Sequence, residues 1–166
     1  MTTSENDWEE RVASLWAALD DHAEDEFLGL IQKLTQELPP GDARAPFELA
    51  CAQDSTGHSD RAVPLYREAL ASGLTGIRRR RAVIQLASSL RNVGQVDESV
   101  ALLEAERGAG SDELDDAVAG FLALALAEVG REREALSYTL VALARHLPRY
   151  NRSLANYAGD LIVESE

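Results

Sequence analysis

Leu86-Ala87-Ser88-Ser89-Leu90-Arg91-Asn92-Val93-Gly94-Gln95-Val96-Asp97-Glu98-Ser99 carries the pattern Leu-Ala-x6-Gly-x4-small, and the pattern returns at Leu49/Ala50/Gly57/Ala62 and at Leu122/Ala123/Gly130/Ala135. The three glycines stand 37 and 36 residues apart. A fixed period of that size marks one supersecondary unit repeated along a chain. Within the quoted repeat, Val83, Leu86, Ala87 and Leu90 recur at helical spacing before Gly94, and Val96, Val100 and Leu103 resume that spacing after it. Each unit therefore reads as two helices joined by a glycine turn, because a residue in the left-handed conformation ends the first helix and lets the chain return antiparallel. The Leu-Ala pair and the small residue of the second helix, Ala62, Ser99 or Ala135, mark where the two backbones approach closely.

Outward from the repeats, Trp8, Val12, Leu15, Trp16 and Leu19 make one apolar stripe, and Phe27, Leu28, Ile31, Leu34 and Leu38 make a second. These predict a degenerate helix hairpin over residues 7–38, closed by the Pro39-Pro40-Gly41 break. Residues 43–147 hold the three clear repeats. After Pro148, the residues Leu154, Tyr157, Ala158, Leu161 and Ile162 predict a final amphipathic helix over 150–164, expected to cap the hydrophobic end of the stack. No strand signal intervenes, so residues 1–166 read as a single all-α domain of about nine helices. Pro64 is expected near the first turn of its helix, where its missing N–H does least harm.

The repeat resembles the tetratricopeptide repeat. The small residue of that family's first helix falls at Ala50, Ala87 and Ala123, its turn glycine at Gly57, Gly94 and Gly130, and the alanine of its second helix at Ala62, Ser99 and Ala135. Tyr66 and Leu103 stand at the family's aromatic position, and Ala69–Leu70 and Ala142–Leu143 match a further pair. The family's first-helix tryptophan is replaced by Pro46, Val83 and Ala119, Thr139 is polar where an aromatic is usual, and the period exceeds the family's roughly 34 residues. The resemblance implies a right-handed superhelix of stacked antiparallel hairpins, a TPR-like α-solenoid.

Charge narrows the partners. The net charge of −13 argues against a nucleic-acid ligand, whose phosphates demand a basic surface. The charge is uneven: residues 1–40 carry a net −8, residues 41–110 a net 0, and residues 111–166 a net −5. Fifteen of the sixteen basic residues are Arg, which codon usage in a GC-rich genome explains, although Arg also pairs bidentately with carboxylates. No apolar run approaches the roughly 20 residues of a membrane span. No basic-then-apolar leader opens the sequence, and the single Cys51 cannot make an internal disulfide. A cytoplasmic protein that engages no membrane is the expectation.

Catalytic chemistry finds little support. His22, His58 and His146 fall in separate segments without an HExxH or a carboxylate at metal-ligand spacing. Cys51 has no recognisable histidine partner, and no GxGxxG or GxxxxGK[ST] occurs. No catalytic residue, metal site or cofactor is predicted.

In the family, the first helix of each repeat lines a concave groove. The resemblance therefore implies a lining of Arg44, Phe47, Glu48, Cys51, Arg81, Gln85, Ser88, Asn92, Phe121, Leu124 and Glu128, extended by Asn156 on the last helix. The run Arg78-Arg79-Arg80-Arg81 cannot share one helix face, but Arg78 and Arg81 can. Arg44 and Arg81 occupy equivalent positions and would face a bound segment together. The family's Lys/Asn clamp for a C-terminal carboxylate is missing, since Phe47, Cys51, Gln85, Ala117 and Phe121 stand at its positions. The leading reading is a noncatalytic scaffold that binds a protein or peptide carrying acids and apolar anchors in the groove. The alternative is a homodimer or larger self-assembly in which the Arg-containing middle of one copy meets an acidic end of another, helped by exposed Trp8 or Trp16. A third reading is an enzyme or small-molecule sensor built on a perturbed Glu48 or Glu128.

Overall fold

The computed structural model describes residues 3–163 and is all-α, a helical-repeat fold. Nine α-helices occur among the described residues: α1 (Thr3–Ala17), α2 (Glu24–Thr35), α3 (Arg44–Ser55), α4 (Ser59–Ala71), α5 (Gly76–Asn92), α6 (Val96–Ala109), α7 (Asp115–Glu128), α8 (Glu132–Ala144) and α9 (Asn151–Val163). A single 3-10 turn, Leu19–Asp21, joins α1 to α2. The chain forms two compact units, residues 1–82 and 83–166, with α5 running through the boundary. No helix among the described residues is long and apolar enough to cross a membrane.

The repeat glycines do what their positions demand. Gly57, Gly94 and Gly130 take φ of 89°, 82° and 78°. At each, the next residue's N–H reaches back to the helix it has just left: His58 to the Gln53 carbonyl at 2.8 Å, Gln95 to Leu90 at 2.8 Å and Arg131 to Leu126 at 2.9 Å. That bond closes a Schellman motif, which satisfies carbonyls at the helix end and reverses the chain. The three turns share one geometry because they share one glycine.

In residues 1–82, Phe27 and Ile31 of α2 form a core with Ala52 of α3, and Trp16 meets Phe27 edge-to-face at 5.1 Å between ring centroids. The Trp8 indole donates to the Leu34 carbonyl at 2.9 Å, fastening α1 to α2. Both tryptophans are thereby built into the fold, which corrects the expectation that they stand exposed on an edge helix: Trp8 is buried and Trp16 half-buried. An indole's large apolar area gains most inside, provided its N–H finds an acceptor. Pro64 lies in the second turn of α4 rather than the first, with its ring exposed, so the lost hydrogen bond falls on the solvent side.

In residues 83–166, Ile84, Ala87, Val100 and Leu103 of α5 and α6 share a core with Val118, Leu122, Ala123, Ala125 and Leu126 of α7 and Ala135 of α8. Ser99 stands where the other repeats have Ala, and its buried hydroxyl donates to the Ala87 carbonyl at 2.7 Å. A small side chain is required there for the helices to approach, and a hydroxyl is admitted because the facing helix offers it an acceptor.

Candidate functional site

The predicted lining residues divide between the two units. In residues 1–82 they enter a network of their own chain's charges. Arg44, at the start of α3, donates to Asp42 at 2.7 Å, pairs with Glu9 of α1 at 3.4 Å and lies over the Trp8 ring at 5.2 Å from its centroid. Arg78, in the first turn of α5, binds both oxygens of Glu9 and stands 3.5 Å from Glu48. Glu48 is buried on α3, where its second oxygen accepts from the Trp16 indole at 2.8 Å. Burial raises the Glu48 pKa above the usual carboxylate range, opposed by the Trp16 hydrogen bond and the Arg78 and Arg81 charges. The Arg44 hydrogen bonds hold Asp42 below that range.

The other predicted residues of this unit are also engaged. The Arg81 guanidinium lies 5.3 Å over the Phe47 ring, and both Phe47 and Cys51 are buried. Arg78, beside the residues singled out in the sequence, carries more of the network than Arg81 does. Its partner Glu9 lies 69 positions away in the chain, and no local pattern announces such a contact.

The unit of residues 83–166 presents a different surface. Ala117, Gly120, Phe121 and Leu124 of α7, with Leu136 and Thr139 of α8, line an open apolar depression of about 640 Å³. Leu124 is 50% exposed and Leu136 49%. At the far end of α7, Glu128 accepts from Arg91 of α5 at 2.6 Å, and Arg91 also donates to the neighbouring Asn92 at 3.3 Å. Gln85 and Ser88 are half-buried on α5, and Asn156 is exposed on α9, outside the depression. Phe121 and Leu124 are thus brought together on one apolar surface, whereas Asn156 is not brought to them. The contribution of α8 was missed in the sequence. Its trace was the polar Thr139 at the position that Tyr66 and Leu103 occupy in the earlier repeats.

Among the described residues, no three His, Cys, Asp or Glu side chains group as a metal site. The histidines stand apart, His58 Nε2 in contact with Glu24 at 2.5 Å and His146 Nε2 with Asp116 at 2.9 Å.

The model of the Tetratrico peptide repeat family matches residues 43–161. Among solved structures, the chain is similar to a putative kinesin light chain of Podosopora anserina with nearly identical TPR-like repeats. The TM-score is 0.71 at 19% identity, covering 99% of this chain and 91% of that one. It is also similar to MamA of MSR-1, with a TM-score of 0.61 at 18% identity over 96% of this chain and 81% of that one. A third likeness is to YrrB, described as a TPR protein with an unusual peptide-binding site, with a TM-score of 0.55 at 15% identity over 92% and 84%. None of the curated proteins matches this chain.

Proposed function

The chain belongs to the tetratricopeptide repeat family, and on that premise we propose that it is a noncatalytic scaffold that holds a partner protein or peptide on the faces of its repeat-leading helices, chiefly that of α7. The observation that carries this reading is the pairing of Phe121 and Leu124 in an apolar depression that water alone would cover. An exposed apolar surface of this kind costs solubility and is typical of sites where another chain docks. Arg44 and Glu48, by contrast, already have charged or hydrogen-bonding partners within residues 1–82. A ligand there would have to displace Asp42, Glu9 or Trp16. Apolar anchors on the partner therefore matter more than acids.

The noncatalytic part of the reading is supported by the ties that hold Glu48: its raised pKa has a structural cause, and both its oxygens face groups of its own unit. The test is affinity purification from source-cell extract with the intact protein beside a Phe121→Asp/Leu124→Asp form of equal helicity. A protein retained by the intact form and lost from the variant supports binding at α7. Equal retention by both refutes it.

A further inference from the structure

The third hairpin is open where the second is covered. In residues 83–166, α7 lies against the hairpin before it, and Ile84, Val100 and Leu103 of that hairpin share a core with Val118 and Leu122 of α7. One period later stand Gly120, Leu136 and Thr139, and these line the depression instead. Val100 is 7% exposed against 49% for Leu136.

The helix expected to cover this face is elsewhere. The first residue of α9 follows that of α7 by 36 positions, in step with the repeat. It nevertheless packs against another side of α8, where Val141 and Ala144 meet Asn151 and Ala155, and where Arg133 donates to the Leu161 carbonyl at 3.2 Å. Ser137, on the same side, is 1% exposed, although its counterpart Ala101 on α6 lies open.

We propose that an amphipathic helix of a partner protein, basic in its last turn, docks between α7 and α8 in the place a fourth repeat-leading helix would take. This deepens the scaffold reading above and rests on it. The site continues the α6–α7 packing by one step, so a docked helix would run parallel to α7. Glu132 lies one turn before Leu136 on α8, and Glu128, which already accepts from Arg91, lies one turn beyond Leu124 on α7. A helix lying parallel to α7 ends beside these two carboxylates, where its C-terminal dipole and basic side chains are both favoured. Gly120 and Thr139 are smaller than Ile84 and Leu103. The depression therefore takes Leu or Phe anchors at i, i+3 or i+4, and i+7.

Charge also decides against the chain's two terminal helices, α9 and α1. The last turn of α9 holds no basic residue, Asp160 lies near its end, and Glu164 and Glu166 follow in the sequence. Placed in this site, α9 would set acids against Glu128 and Glu132, whether it came from the same chain or a second copy. The last turn of α1 lacks a basic residue as well.

The probe is a fluorescent peptide of the α7 sequence, residues 115–128, bridged on its outer face to hold it helical, with the last two residues changed to Arg and Lys. Its acidic counterpart ends in two Glu. Anisotropy titrations with the full chain are expected to show the basic peptide binding roughly fivefold to tenfold more tightly, a gap that narrows with salt because exposed charges are screened. Leu136→Asp, and separately Leu124→Asp, abolish binding while leaving the circular dichroism unchanged.

Equal affinity of the two peptides, or binding of neither, overturns the proposal. If neither peptide binds while the cell partner is still captured through Phe121 and Leu124, only this inference fails and the scaffold reading stands. A second copy is the occupant instead if sedimentation shows a dimer that Leu136→Asp dissociates. The chain's own α9 is the occupant instead if a thiol introduced by Ser137→Cys, in a Cys51→Ala background, reacts as fast as an exposed one. Either result overturns the proposal.

Discussion

Leu103→Ala and Leu136→Ala delete the same atoms from two second helices whose surroundings differ, and their costs should differ accordingly. Leu103 is fully buried and packs in the core shared by α5, α6 and α7. At about 0.8 kcal/mol per buried carbon group, loss of three groups costs about 2.4 kcal/mol, and the cavity left behind brings the total to about 3 kcal/mol. Leu136 has half its surface in water already, so the same deletion forfeits at most about 1.2 kcal/mol and closes no cavity around itself. The expected gap is about 2 kcal/mol between two variants in one compact unit. Urea unfolding followed by far-ultraviolet circular dichroism resolves it, because an m-value of about 2 kcal/mol/M turns the gap into a midpoint difference of about 1 M. If Leu136→Ala costs within about 0.5 kcal/mol of Leu103→Ala, the α7–α8 face is covered in solution and offers no open site.

Two glycines of α6 and its turn should respond with opposite sign: Gly94→Ala, at φ 82°, is expected to lose about 1–2 kcal/mol, whereas Gly108→Ala, inside α6 with open space around it, should gain about 0.5 kcal/mol. Thermal unfolding of both variants checks this. Asp42→Asn should lower stability by about 1–2 kcal/mol at neutral pH, because the folded carboxylate is held below its ordinary pKa by Arg44. That contribution is complete above the ordinary carboxylate range and is lost as pH falls through the depressed value, so urea midpoints of variant and parent should converge in strong acid. A difference that persists unchanged at low pH would assign the effect to packing.

The sequence by itself determined the hairpins. Gly57, Gly94 and Gly130 end helices because the left-handed turn is a local property of glycine, and Ala50, Ala87 and Ala123 mark close crossings because side-chain size is local as well. The apolar spacing before Pro39 and after Pro148 reads as helical, and α1, α2 and α9 lie in those segments, since periodicity needs no knowledge of what packs on the stripe. The resemblance to the repeat family placed Phe121 and Leu124 on a groove face, and the structure shows them bordering an apolar depression with α8.

What the tertiary structure decided was which faces found partners. Trp8 and Trp16 look equally suited to an edge or a core, and only the acceptors on Leu34 and Glu48, 26 and 32 residues away, turned them inward. Arg44 reads as a groove charge, yet in the fold it is held by Asp42 and by Glu9 of α1, and Arg78, outside the predicted lining, binds that same Glu9. The position of α9 was decided in the same way. Its sequence keeps the repeat period, but helices choose among competing faces by the fit of side chains contributed from distant segments. Packing of α9 on the Ser137 side of α8 leaves Leu124 and Leu136 open, a property of assembled surfaces that no single helix encodes.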